Sequence, residues 1–336
     1  MVLSPPASRH GRHAALLLLL LPPSSRGCFH ATIKRHLDSS CVVRVNYSRP
    51  SCVSSAPQMP VYVLHALYLD ERRAFMRSQL RSLCAEDVSW MLCLDRPVVA
   101  SLDAAAFRCL HPCFAHNRYN PAHEPHISNG TLSLALKHKA AYVDMELRNL
   151  PAALVLEDDA VLPPTLWPIL AAAAPPADAT ILFVGSYSLW PGGSLRAQAQ
   201  RQGAPATAYR QSLASRPPVV HVLRRNASDW PPILGAVAYV VLRRGARIYA
   251  HTPVLSQADV GISYLDAAPQ PQPEACGGHR LDRPVAQYGL ATWAVFPQND
   301  HYWNVSNRAG THQRGVEGHG KARHAHGGQE VRKLLE

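Results

Sequence analysis

The sequence predicts an α/β domain with a mostly parallel central sheet, on three observations. Strand-like and helix-periodic segments alternate from residue 61 to about residue 250. The strand-like ones, such as Ala152–Leu156 and Thr180–Val184, are short unbroken apolar runs, the pattern of strands covered on both faces. One of them ends in three consecutive acids, Glu157-Asp158-Asp159, and open α/β sheets bind their ligands at the carboxyl ends of strands.

A chain of 336 residues with 47% hydrophobic content has enough apolar material for one large or two ordinary domains. Its formal net charge of +11 with 18 histidines suits an anionic ligand, a polyanionic partner or a membrane surface. Basic and aromatic residues are not interleaved and no nucleic-acid-binding signature is present, so nucleic acid is not an expected partner. Arg9 and Arg12 precede the apolar run Ala14–Leu21, which Pro22-Pro23 ends. That order describes a secretory signal or a short anchor over residues 1–27. Eight apolar residues fall short of the roughly 20 that span a bilayer, so any membrane association would run through this N-terminal segment alone. Four sequons, at Asn46, Asn129, Asn226 and Asn304, agree with a secretory lumen such as the Golgi or endoplasmic reticulum, or with secretion. Eight cysteines permit disulfides there. Cys109 and Cys113 have no second pair beside them, which favours a disulfide or free thiols over zinc.

Residues 28–59 are Ser-, Pro- and Arg-rich without a sustained period and read as a stem or linker with no core element. Val61–Leu67 is the first expected strand. It is followed by a helix from Asp70 to Leu83, with Phe75, Met76, Leu80 and Leu83 at helical spacing. Val88–Leu94 is a second strand, ended by the turn residues Asp95-Arg96-Pro97. A long loop from Cys109 leads to Ser128 or Asn129, either of which can cap a helix from Thr131 to Arg148. Strands follow at Ala152–Leu156, Thr180–Val184, Val219–Leu223 and Leu234–Leu242, then a short helix at Arg243–Tyr249 and a late strand at Ala291–Phe296. Residues 60–310 form the expected catalytic domain, and the Gly/His/Arg-rich residues 311–336 read as a disordered, solvated tail.

The acids set the chemistry. If strand alternation continued past Leu156, Glu157 and Asp159 would share one side and Asp158 would face the other. Two carboxylates on one side, at the end of a buried strand, make a hard-oxygen site for a divalent cation. Arg72 and Arg73, near the start of the first helix, stand where a guanidinium can meet a phosphate.

Three blocks resemble glycosyltransferase family 25, which includes lipopolysaccharide galactosyltransferases and collagen galactosyltransferase-like proteins. Val61–Leu80, with Glu71-Arg72-Arg73, is similar to the family's strand, E-R-R and helix. Gly130–Tyr142, with His138, is similar to its G-E-x-G-C-x-x-S-H-x-x-x-W pattern, although Thr131, Leu134, Lys137 and Tyr142 depart from it. Ala153–Asp159 is similar to its acidic motif, and Gly235–Ala250 to a later G-x-x-x-Y-x-x-x-x-x-G-A block. The resemblance marks a divergent member and implies a GT-A-like nucleotide-sugar-binding fold, a UDP-sugar donor and Mn2+ or another divalent cation. It implies Asp159 as the first metal ligand. Glu157 and Asp158 then contact the metal shell or the ribose, Arg72 or Arg73 the nucleotide, and His138 orients the acids. An inverting transfer also needs a carboxylate base, for which Asp259 is the first candidate and Asp266 the next. Asp300-His301 is an alternative contributor to the metal or diphosphate.

The expected function is transfer of a hexose, galactose or glucose, from a nucleotide-sugar to a glycan or protein hydroxyl. Two alternatives stand beside it. One is a nucleotide-sugar- or glycan-binding protein that keeps the fold without turnover. The other is a metal-dependent phosphohydrolase, disfavoured because the sequence lacks the second ligand cluster of two-metal sites.

Overall fold

The computed structural model describes residues 25–37, 41–50, 52, 58–103, 128–185, 188–189, 193–194, 220, 222–224, 237–252, 254, 285–290 and 296–297. Asp259, Asp266, Asp300-His301, the Cys109 and Cys113 pair, residues 1–24 and the tail lie outside the described residues. In chain order the elements are helix α1 (Ser25–Leu37), strands β1 (Val42–Val45) and β2 (Val61–Leu64), helix α2 (Asp70–Ser82), strand β3 (Val88–Met91), helices α3 (Arg96–Ala100) and α4 (Asn129–Leu147), and strands β4 (Ala152–Glu157) and β5 (Ala160–Val161). There follow helix α5 (Leu166–Ala172), strands β6 (Ala179–Gly185), β7 (Ser188–Leu189), β8 (Gly193–Ser194), β9 (Val222–Arg224) and β10 (Ala238–Leu242), helix α6 (Arg243–Ala250), and strands β11 (Ala286–Leu290) and β12 (Phe296–Pro297).

Eight strands form one sheet in the order β1-β3-β2-β4-β10-β6-β11-β9. The expected α/β class is present, but the sheet is mixed. Among the described residues, parallel pairing is confined to β3-β2-β4 and to β6-β11. Between these blocks β10 runs antiparallel to both β4 and β6, and β1 and β9 close the edges antiparallel. Composition hid this, because β10 reads Ala-Tyr-Val-Val-Leu, and a strand buried on both faces looks apolar whichever way its neighbours run.

The core is continuous. Strands β2, β3 and β6 are buried along their whole lengths, and Trp90, Tyr62, Tyr142, Tyr239, Tyr249 and Phe183 are among the largest sealed side chains. Helix α4 begins at the Ser128 hydroxyl, which accepts a hydrogen bond from the Thr131 amide at 3.1 Å. It ends at Asn149, whose φ of 52° is the left-handed C-terminal conformation that Asn tolerates. Gln79 of α2 uses both ends of its amide to grip the turn after β4, donating to the Ala160 carbonyl at 2.8 Å and accepting from the Leu162 amide at 2.7 Å.

The stem expectation is corrected within 28–59. Strand β1 joins the sheet edge with Val43 buried, and Ile33 of α1 is sealed in the core. Arg44 of β1 donates to Asp144 of α4 at 2.7 Å, and Tyr62 donates to the same carboxylate at 2.8 Å. The disulfides Cys41–Cys93 and Cys52–Cys84 tie the segment to β3 and to the end of α2. A four-residue edge strand held by cross-links needs no long apolar period, so composition alone read as linker. Disulfides fit an oxidising, secreted or lumenal environment. No helix among the described residues is long and apolar enough to cross a membrane.

Candidate functional site

The site forms where three parallel strands end together. Leu64 of β2 is in register with Met91 of β3 on one side and with Glu157 of β4 on the other. Just past those ends the chain places His65, Asp95 and the acids. The first turn of α2 adds Arg72, and the N-terminal half of α4 adds Gly130, Ser133 and Lys137. Together they line a cleft of about 190 Å³ whose rim includes Tyr68 and Arg96. Among its lining residues the carboxylates are Asp95, Glu157, Asp158 and Asp159, against the cations Arg72, Arg96 and Lys137. That balance gives oxygen ligands for a cation beside cations for an anion.

Asp158 is buried, and both of its carboxylate oxygens are engaged. Its carboxylate meets His65 Nδ1 at 2.8 Å through one oxygen and accepts from Arg72 at 2.9 Å through the other. Burial pushes its pKa up, but the His65 hydrogen bond and the Arg72 charge more than offset this and hold it below the usual carboxylate range. Arg72 reaches on to Asp159, 3.4 Å away. A matched carboxylate of this kind positions its neighbours. Lys137 and Asp95 make a second buried pair: the ammonium donates to Asp95 and to the His65 carbonyl, while the other Asp95 oxygen accepts from the Leu67 amide at 2.9 Å. Burial lowers the Lys137 pKa, with Asp95 and then Asp158 opposing it. Asp95 follows Leu94, a bulky residue with φ of 53°. Such a conformation costs about 1–3 kcal/mol and persists where the surroundings impose it, here next to the Cys41–Cys93 cross-link.

Glu157, Asp158 and Asp159 all line the cleft. The expected alternation fails because β4 ends at Glu157 and the next two residues form a turn, which removes the period-2 constraint. Arg72 and Arg73 separate clearly. Arg72 is buried in the cleft wall, whereas Arg73, the next residue around the helix, pairs with the exposed Asp70 and is not among the lining residues. His138 lies behind the acids. Its Nδ1 meets the Tyr239 hydroxyl at 2.5 Å, and its Nε2 lies 3.6 Å from Glu157. Burial first, then the Lys139 charge, lower its pKa to about 3, so a neutral ring stands against Glu157 at physiological pH.

His65, Asp95 and Lys137 take part in the site although none was a candidate. A signal was available: His65 and Asp95 each stand just after a buried apolar run, as the acids do, and ligand crevices form where several such ends converge. Lys137 was visible only as a departure from the resembled motif; nothing local distinguishes it from a surface lysine.

The residues fit a divalent cation by donor chemistry, since Glu157 and Asp159 offer hard carboxylate oxygens to the same cleft. Compared with known proteins, the chain matches no family model and no curated sequence at a significant level.

Proposed function

We propose that this chain is a metal-dependent glycosyltransferase with a GT-A-like site, moving a galactose or glucose unit from a UDP-sugar to a glycan or protein hydroxyl. The observation that carries the reading is the acidic end of β4, set beside Arg72 and Lys137 in one cleft at the carboxyl ends of parallel strands. A cation held by Asp159 and Glu157 would stabilise the charge that develops on the diphosphate as the sugar departs. Arg72, fixed by Asp158, adds positive charge at the same wall. Tyr68, 53% exposed at the rim, offers a ring face on which a nucleobase can stack. In the transfer, an acceptor hydroxyl oxygen bonds to the anomeric carbon, its proton passes to a carboxylate base, and the sugar–phosphate bond breaks to release UDP. Asp259 and Asp266 are the sequence-based candidates for that base. Golgi or endoplasmic reticulum is the proposed location.

The test is incubation of the full chain with radiolabelled UDP-hexoses and Mn2+. Donor turnover is expected for one of them, with loss of about 100-fold or more in Asp159→Asn, because an oxyanion-stabilising group contributes about 10²–10³. Absence of donor binding and turnover, together with an unaltered Asp159→Asn protein, overturns the reading. One observation favours a second reading, a binding protein without turnover: both oxygens of Asp158 are already engaged within the protein, one by His65 Nδ1 and the other by the Arg72 guanidinium. Donor binding without release of UDP would select it.

A further inference from the structure

Strand β1 ends at Val45, and the residues that follow it, Asn46-Tyr47-Ser48, form one of the sequons. Tyr47 is buried, while Asn46 and Ser48 on either side of it are exposed. Two hydrogen bonds fix that orientation. The Tyr47 amide donates to the Ala85 carbonyl at 2.8 Å, and the Tyr47 hydroxyl accepts from the Trp90 indole at 3.2 Å. With Tyr47 locked inward, its two neighbours face solvent.

The asparagine side chain is arranged for modification. Its Oδ1 accepts a hydrogen bond from the Ser48 main-chain amide at 2.7 Å, an Asx turn of the kind that short polar side chains make with the backbone two residues on. This engages the oxygen end of the amide. Nδ2, the atom that would carry a sugar, has no hydrogen-bond partner among the described residues. Replacing one Nδ2 hydrogen by a sugar keeps the Oδ1 bond, so the folded turn accommodates the change. Chain order also keeps the segment open during synthesis, because its partners Ala85 and Val88–Met91, and the cross-linked Cys84 and Cys93, all lie downstream of it.

The other sequon among the described residues differs on each count. Acceptor asparagines belong on surface loops, and Asn129 is instead the first residue of helix α4. Its Thr131 is held locally by Ser128, through the amide at 3.1 Å and between the two hydroxyls at 2.9 Å. Gly130, between them, lines the cleft, which a glycan would crowd.

We infer that Asn46 carries an N-linked glycan, added in the oxidising lumen that the disulfides fit, and that this glycan shields the edge of the sheet. In the transfer, Nδ2 bonds to the anomeric carbon of an oligosaccharide held on a lipid diphosphate, one Nδ2 proton passes to the base of the transferring enzyme, and the sugar–phosphate bond breaks to release the lipid diphosphate. Asn46 is not among the residues that line the cleft, so its modification does not depend on the activity proposed there. Strand β1 is terminal in the sheet, and among the described residues it pairs only with β3. The Cys41 carbonyl accepts from the Leu92 amide, and the alternation of an antiparallel ladder then turns the main-chain groups of Val42 and Arg44 away from β3. Unpaired groups of that kind are a template for a second chain. A bulky, hydrated group one residue past β1 obstructs such pairing.

The experiment produces the full chain in a eukaryotic secretory host and treats it with a peptide N-glycosidase in heavy-oxygen water. Peptide mass spectrometry should find Asn46 converted to labelled aspartate, at higher occupancy than Asn129. Ser48→Ala tests the sequon without breaking the turn, because the turn bond uses the Ser48 main-chain amide and the side chain is exposed. It should abolish the label at Asn46 with an unchanged circular dichroism spectrum, whereas Ser48→Thr should keep the label. Light scattering should show the Ser48→Ala chain associating more than its glycosylated parent. An unlabelled Asn46, whether the chain reaches the lumen or stays in the cytosol, overturns the site, as does occupancy at Asn46 no greater than at Asn129. Equal association of the Ser48→Ala chain and its parent overturns the shielding role.

Discussion

Gly245→Ala sets two effects of opposite sign against each other. Alanine at this position of α6 should favour the helix by about 0.8–1.0 kcal/mol on propensity. A Cβ built there, however, would lie 2.1 Å from the Thr180 carbonyl oxygen and 2.9 Å from its carbon. Those are backbone atoms of β6, a strand buried from end to end, so no side chain can swing aside. Relief requires α6 to lift by about 1 Å, and its seat resists: Ala246, Tyr249 and Ala250 are sealed, and the Lys139 ammonium holds the Tyr249 carbonyl at 3.1 Å. Overpacking costs about 1–3 kcal/mol or more, and a clash of this depth against backbone belongs at the upper end. The net expectation is a loss of about 2 kcal/mol. At ~2–4 °C per kcal/mol for a domain of this size, thermal unfolding followed by circular dichroism should fall by about 4–8 °C. Gly130→Ala is the control, since its Cβ would meet only the Ser128 hydroxyl at 3.7 Å, and its stability should hold or rise slightly. A Gly245→Ala chain as stable as its parent would refute the packing argument.

Asp158→Asn should cost about 3 kcal/mol at neutral pH, as breaking a buried ion pair does. Its folded pKa lies below the ordinary carboxylate value, so this stability is present above that value and is lost as pH falls through the folded one; urea titrations at pH 7 and pH 3 should show the difference shrinking. Lys139 runs the other way. Burial lowers its pKa from 10.5 to about 7, so the unfolded chain holds a proton that the folded chain has released between those values, and stability rises with pH across that window. Lys139→Met should therefore stabilise most below pH 7 and progressively less towards pH 10. Replacing Cys52 and Cys84 by Ser opens a loop of sequence separation 32 and should lower the denaturation free energy by about 3–4 kcal/mol, read from the urea midpoint; an unchanged midpoint would remove the cross-link from the account of the N-terminal segment.

The sequence made the βα alternation legible because buried strands and helix caps leave local marks. Ser128, Asn149 and the apolar run of β4 all act within a few residues of themselves. Strand direction leaves no such mark, which is why β10 was unreadable as antiparallel. Strand β11 escaped for a related reason: Ala-Gln-Tyr-Gly-Leu alternates only weakly, with three apolar positions interrupted by Gln287 and a strand-weakening Gly289. At the site, the three acids announced themselves as charge where burial was expected. Their partners did not. His65 and Lys137 are 72 positions apart and meet only through the register of β2 and the seating of α4, and pairwise long-range contacts of that kind have no one-dimensional signature.

Helix α4 is buried around nearly its whole circumference from Leu132 to Met145, although Lys137, His138, Lys139 and Asp144 lie within that span. A surface helix can drift in sequence on its wet side; this one has none to drift on. Each turn answers to a different neighbour: Lys137 to the cleft, His138 and Tyr142 to Tyr239 of β10, Lys139 to α6, and Asp144 to β1 and β2. Random substitution should therefore be tolerated least along these fourteen or so positions. A deep mutational scan ought to draw the helix as an unbroken band of intolerance, without the 3.6-residue ripple that amphipathic helices give.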